Sequence, residues 1–217
     1  MNFSAKAASL PAPAAMPDEY RFRELVGAAQ WDCLPAPIRR RFSRKLGDAE
    51  TATYIGEVAE TRLTWAGRIF AQFARLLGSP LPLDPGGRAA AAVMVTEDER
   101  IQGQLWTRIY ARPGRFPQVV RSAKRFDGPT GLEECVRFGV GMSLRTYVEQ
   151  RALVFRSSGY FVRIGPRRLP LPGWLMPGEM EVVHREEHDG RFSFVLTVRH
   201  PLLGEILRQT AFFRDSA

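Results

Sequence analysis

Residues 179–199 read EMEVVHREEHDGRFSFVLTVR. Apolar and polar residues alternate on both sides of Asp189-Gly190. Asp-Gly between two alternating runs predicts an antiparallel hairpin with a tight turn, because both central turn positions need a left-handed backbone. Working back from this hairpin, the same grammar recurs. The segments 90–98 (AAAVMVTED), 104–112 (QLWTRIYAR), 116–126 (FPQVVRSAKRF), 132–140 (LEECVRFGV), 143–150 (SLRTYVEQ) and 152–156 (ALVFR) read as strands. Turn signals such as Pro113-Gly114 and Asp127-Gly128-Pro129 separate them. Ser157-Ser158-Gly159 is read as a hairpin turn into 160–164 (YFVRI), and 165–178 as an irregular proline-rich piece. Downstream, 206–214 (ILRQTAFFR) supplies a last strand.

Helical spacing is confined to the first third. Phe22, Leu25, Val26 and Ala29 recur one turn apart, and a second short piece runs through Phe42 after Pro35 and Pro37. A strand is expected over 51–60 (TATYIGEVAE), then a helix over about 62–77. Leu63, Ala66, Ile69, Phe70, Phe73, Leu76 and Leu77 form its apolar stripe, with Gly78 as the stop and 79–87 as a loop. Helices early and strands late give an α+β order: N-terminal helices on a strongly curved antiparallel sheet that curls toward a closed or half-open β-barrel with a helix across it. Repeated βαβ units are missing, which disfavours a doubly wound nucleotide fold. Residues 1–18 read as a flexible Ala/Pro-rich lead before a single domain over 19–217.

Composition narrows the function classes. Of 217 residues, 45% are hydrophobic and 25% charged, so a sizeable core is affordable. No apolar run reaches the roughly 18 residues of a membrane-spanning helix. Ser9, Pro11 and Pro13 interrupt any secretory signal, and the reading is cytoplasmic. The net charge is +8, almost all of it from arginine. The one dense cluster, Arg39, Arg40, Arg41, Arg44 and Lys45, holds a single aromatic, Phe42, so no specific nucleic-acid binding is expected. Cys33 and Cys135 stand far apart and read as small hydrophobes.

Catalytic motifs are sparse. His184-Arg185-Glu186-Glu187-His188 satisfies H-x-x-E-H, the pattern of an inverted zinc-peptidase motif, which works on a helix. On a strand the two imidazoles would lie about 13 Å apart. The motif is therefore read as a solvated hairpin end, with no metal site and no cofactor. No G-x-S-x-G, G-x-G-x-x-G or phosphate-binding loop occurs. The Gly-x-Gly at Gly139–Gly141 reads as a bulge or bend. Glu133 and Glu134 are read as salt-bridge partners of nearby Arg137.

Two strand faces are too polar for a plain core. Gln104, Trp106, Arg108 and Tyr110 share one; Ser143, Arg145, Tyr147 and Glu149 share another. Each is either a solvent face with cross-strand ion pairs or the wall of a ligand site. Read as a wall, Trp106, Tyr110, Phe138, Met142, Tyr147 and Phe161 supply apolar surface, and Arg108, Arg137 or Arg145 grips an anionic head group. The ligand is then an apolar or amphipathic, lipid-like small molecule. Glu149, or Glu133 with Arg137, is the acid–base candidate if the site is catalytic as a cyclase or isomerase.

Several segments in order carry a resemblance: WDCLP (31–35), the stretch 56–82, LWTRIY (105–110), VRFGV (136–140), LPLPGWLMP (169–177) and the stretch 189–213. Together they resemble a bacterial family of domains of unknown function, the DUF4166 family. Its Trp and Arg are matched by Trp106 and Arg108, its Arg-Phe-Gly by Arg137, Phe138 and Gly139, its Pro-Leu-Pro by Pro170, Leu171 and Pro172, and its Pro-Leu-x-Gly by Pro201 to Gly204. Many members carry a histidine after the Leu-Pro segment, where this chain has Arg41-Phe42. Members also occur fused behind a dinucleotide-binding, reductase-like domain. The resemblance thus implies a companion role, with a separately encoded reductase as a partner, and brings no activity with it.

Overall fold

The computed structural model describes residues 20–47, 50–76 and 88–216. The expected lead at 1–18, the stop at Leu77-Gly78 and the loop at 79–87 lie outside these, as do the side chains of Phe73 and Leu76. Strands dominate. They are β1 (Ala52–Leu63), β2 (Ala89–Asp98), β3 (Gly103–Arg112), β4 (Arg115–Arg125), β5 (Glu133–Cys135), β6 (Val140–Glu149), β7 (Ala152–Ile164), β8 (Arg167–Pro170), β9 (Glu179–Glu186), β10 (Arg191–His200) and β11 (Gly204–Asp215). The hydrogen-bonded order is β6-β5-β4-β3-β2-β1-β11-β10-β9-β7-β8, and β6 also pairs with β7. That last pairing closes a ring of ten antiparallel strands, with β8 hung on β7 outside it.

The helical share is smaller than an α+β reading anticipates. The molecule is a closed β-barrel with short helices at its ends. Closure depends on β7, thirteen residues long. One edge pairs with β6 along most of its length; the other serves β9 over Leu153–Arg156 and β8 over Phe161–Ile164. Register shifts in the β1–β11, β3–β4, β6–β7 and β10–β11 pairings provide the local bends that curl the sheet.

One of these shifts corrects the reading of Ser157-Ser158-Gly159. β7 runs straight through it. Ser143 pairs with Gly159 and Leu144 with Ser157, so Ser158 is the extra residue of a bulge. Turn-forming residues here relieve a long strand instead of reversing it. The Asp189-Gly190 turn is present, with φ of 62° and 68°, and Glu187 N–H donates to the Arg191 carbonyl.

Three short helices, α1 (Arg21–Val26), α2 (Ala28–Asp32) and α3 (Ala36–Phe42), close one end. Gly27, at φ 85°, breaks the first two apart, and Pro35 precedes the third. Phe22, Trp31, Leu34, Ile38 and Phe42 are buried against Leu132, Leu144, Leu153 and Phe155 of the barrel. Phe22 meets both Phe42 and Phe126 edge-on at 5.0 Å. Arg41 pins this plug: its guanidinium donates to Glu186 at the end of β9 (2.6 Å) and to Asp215 at the end of β11 (3.2 Å), and lies over the Phe192 ring. Arg41 is therefore a structural clamp and no part of an exposed basic patch.

At the other end, α4 (Trp65–Leu76) follows β1 directly. The Thr64 hydroxyl caps it by accepting from the Gly67 N–H at 3.1 Å. Ala66 and Phe70 pack on Val198, Ile206 and Leu207.

Candidate functional site

Period-two alternation sends every second strand residue inward. Val93, Val95, Trp106, Phe192 and Phe213 belong to one buried cluster inside the barrel. Beside it lies a cavity of about 160 Å³. Its wall is mostly apolar: Val93, Val120, Met142, Val182, Phe194 and Leu196 are among its lining.

One side of the cavity is charged. β3 and β4 pair with Trp106 opposite Ser122 and Gln104 opposite Lys124, and β4 pairs Lys124 with Glu134 of β5. This register brings Arg108, Ser122, Lys124 and Glu134 together. Lys124 Nζ donates to Glu134 Oε2 at 2.7 Å, Ser122 Oγ to Glu134 Oε1 at 2.6 Å, and Arg108 Nη2 to Glu134 Oε1 at 3.2 Å. Arg108 Nη1 also donates to Ser122 Oγ at 2.9 Å. The Lys124 ammonium stands 4.9 Å from the Trp106 ring centre.

Two cations and one carboxylate leave a net positive charge beside an apolar wall. Burial alone would raise the Glu134 carboxyl, but Lys124 and Arg108 hold it down, to about 2. Burial pushes the Lys124 ammonium below its usual value, against the pull of Glu134. Glu134 consumes one of the three Lys124 donors, and Arg108 retains N–H groups beyond its two bonds. A carboxylate ionised so far below neutrality is a poor proton acceptor for acid–base work at pH 7.

The residues singled out from sequence divide. Trp106, Arg108 and Tyr110 line the cavity, as does Met142. Arg137 and Phe138 occupy the β5–β6 turn and are exposed, stacked on one another at 5.0 Å, with Phe138 at φ 60°. Arg145 and Glu149 are exposed on the outer face of β6. Tyr147, half-buried on the same face, donates to Glu181 and sits under Arg156. Phe161 is buried away from the cavity wall. Neither glutamate pairs with Arg137. Glu133 is fully buried and bound by Arg163 (2.7 Å) and Arg168 (2.8 Å) on the barrel's flank.

Sequence reasoning missed Lys124 and Glu134, which hold the cavity's charge. A signal existed: Gln118, Val120, Ser122 and Lys124 share one face of β4, so a lysine sits on the face that carries Val120 into the core.

His184 is a second correction. It is not at a solvated hairpin end but fully buried on β9, among Phe42, Phe192 and Phe194, stacked on the last at 4.5 Å. His188 lies in the exposed turn. Burial pushes the His184 imidazole down to about 3, with the nearby Arg41 charge adding to the effect. A small chamber of about 20 Å³ beside it, between plug and barrel, has room for about one water. Among the described residues no group of three His, Cys, Asp or Glu could hold a metal ion, and no helix is long and apolar enough to cross a membrane.

No curated protein and no solved structure matches the chain. A family model does: the one described as a domain of unknown function matches residues 34–213, from the Leu34 that seats the plug, through the charged cavity wall, to the Phe213 that closes the core. The chain belongs to the DUF4166 family.

Proposed function

We propose that the barrel binds a small amphipathic anion, with its carboxylate-like head against Lys124 and Arg108 and its apolar part along the Met142–Val182–Phe194 wall. The observation that carries this is the unbalanced cluster: buried Lys124 and half-buried Arg108 share one carboxylate on the wall of a mostly apolar cavity. Such a site supplies few, well-placed polar groups in an apolar cleft. An anion there meets charge-assisted donors that an uncharged ligand of the same shape cannot use. The size also selects. An apolar cavity of about 150 Å³ is known to hold benzene, so the roughly 160 Å³ here suits an aromatic or short-chain carboxylate rather than a full-length lipid. Binding is favoured over acid–base catalysis because Glu134 stays ionised far below neutral pH.

Isothermal calorimetry with octanoate and 1-octanol tests the reading. Octanoate is expected to bind at least about tenfold more tightly than the alcohol, and Lys124→Met to erase most of that preference. Equal affinity for the two, or no heat from either, overturns it.

A further inference from the structure

The two ends of the barrel differ in what they present. At the plug end the exposed turns are polar: Gln150-Arg151 between β6 and β7, and His188-Asp189-Gly190 between β9 and β10. At the α4 end, connection after connection carries a large exposed apolar side chain. Trp65 opens α4, Phe116 flanks the β3–β4 hairpin, Phe138 lies in the β5–β6 turn, Ile164 ends β7 at the β7–β8 hairpin, Trp174 lies in the loop into β9 and Leu202 in the β10–β11 turn. The extremes are Phe116 at 92% exposed, Leu202 at 87% and Trp174 at 81%.

Arginine accompanies these tips. Arg68 follows Trp65 by one helical turn, Arg115 adjoins Phe116, Arg137 adjoins Phe138, Arg167 faces Ile164 across the β7–β8 hairpin, and Arg199 precedes Leu202. All five are exposed. Arg68, Arg115, Arg137 and Arg167 make no ion pair with a described residue. The acids at this end are already engaged: Glu60 with Arg62, Glu179 with Arg156, and Glu205 with Arg199 and Arg208. Among the described residues, the uncompensated charge of this face is therefore positive. α4 shows the same design on its own outer side, where Trp65, Arg68, Ile69, Gln72 and Arg75 are exposed while Gly67 and Ala71 are buried.

Separate apolar tips around a rim, all but Trp174 beside a cation, fit a lipid interface better than a flat protein partner. Tryptophan and leucine enter the headgroup boundary singly, and arginine reaches the phosphates beside them. We propose that the α4 end of the barrel docks on an anionic phospholipid bilayer, with Trp65, Phe116, Trp174 and Leu202 inserted and the flanking arginines on lipid phosphates. The surface does not depend on what the cavity holds.

Vesicle flotation of the full chain tests it, with phosphatidylcholine alone and with an equimolar mixture of phosphatidylcholine and phosphatidylglycerol. The mixed vesicles are expected to retain the protein at least about tenfold better, and added salt to remove the difference. Trp174→Ser with Leu202→Ser is expected to cut retention about tenfold. Arg115→Gln with Arg167→Gln is expected to abolish the preference for the anionic mixture. Arg151→Gln at the opposite end leaves binding unchanged. Should a surface variant fail to fold, quenching of the parent protein's tryptophan emission by brominated phospholipid decides the question, since Trp65 and Trp174 are exposed while Trp31 and Trp106 are buried. No retention, equal retention on both vesicles, no quenching, or self-association through Trp174 and Leu202 without vesicle binding each overturns the proposal.

Discussion

His184 is neutral because burial strips its hydration and because Arg41 lies close by. The free imidazole titrates near 6.5 and the buried one at about 3. Between those values the unfolded chain binds a proton that the folded chain refuses, so stability is lost as pH falls from about 6.5 toward 3. The full difference is on the order of 4–5 kcal/mol. Glu134 adds a second acid-labile contribution. Its folded value is depressed to about 2, so its stabilisation is complete above the ordinary carboxylate value near 4.5 and fades between there and 2. A phenyl ring suits the His184 site, which is already aromatic on three sides. His184→Phe is expected to change stability at pH 8 by less than about 1.5 kcal/mol and to flatten the fall in Tm between pH 6.5 and 4.5. An unchanged slope in melting curves across that range counts against this account. The Lys124–Glu134 pair behaves differently, because removing one partner strands a buried charge. Lys124→Met is expected to cost about 3–5 kcal/mol in urea unfolding.

Strand and helix signals were legible where local chemistry agrees with the final structure. Asp189 and Gly190 take the left-handed backbone that their hairpin needs, and Ala66 and Phe70 of the expected stripe pack against the barrel while Ile69 is exposed. The signals failed where tertiary pairing overrides local preference. Ser157-Ser158-Gly159 would turn a free chain, but β6 on one side and the β9–β8 edge on the other hold β7 extended, and the extra residue becomes a bulge. The seat of α4 is another long-range effect. A Cβ at Gly67 would collide with the Ile206 carbonyl oxygen, backbone that cannot step aside, so glycine sets how closely the helix approaches β11. Gly67→Ala is expected to lower stability by about 2–3 kcal/mol despite the better helix propensity of alanine. The same exchange at Gly114, where nothing lies within 4 Å of the added carbon, costs only its left-handed backbone, φ 68°. Chemical denaturation of both variants separates backbone collision from backbone conformation; equal costs count against it.

Ring closure joins distant parts of the chain. β1 near the start pairs with β11 at the end, and β6 pairs with β7 to complete the circle. Sequence periodicity predicts the strands and their curl, but closure depends on which edges meet, and no local pattern encodes that. The cavity was half legible for the same reason. The face of Trp106, Arg108 and Tyr110 could be read along one strand, whereas the contact of Lys124 with Glu134 exists only once β4 and β5 are in register. The outer face of Arg145, Tyr147 and Glu149 carries the same alternation as an inner one, and only closure decides which side faces in. Ring closure gives β1 and β11, like β2 and β3, a partner strand on both sides. β5 covers β4 over Ala123–Arg125 only, and β8, four residues long, is bonded along one side only. Hydrogen exchange is therefore expected to show β1 and β11 as slow as β2 and β3, with Arg167–Pro170 exchanging orders of magnitude faster. Fast exchange along the β1–β11 seam or the β6–β7 seam would mean that the barrel opens there, and that the cavity is reached through its wall instead of its end.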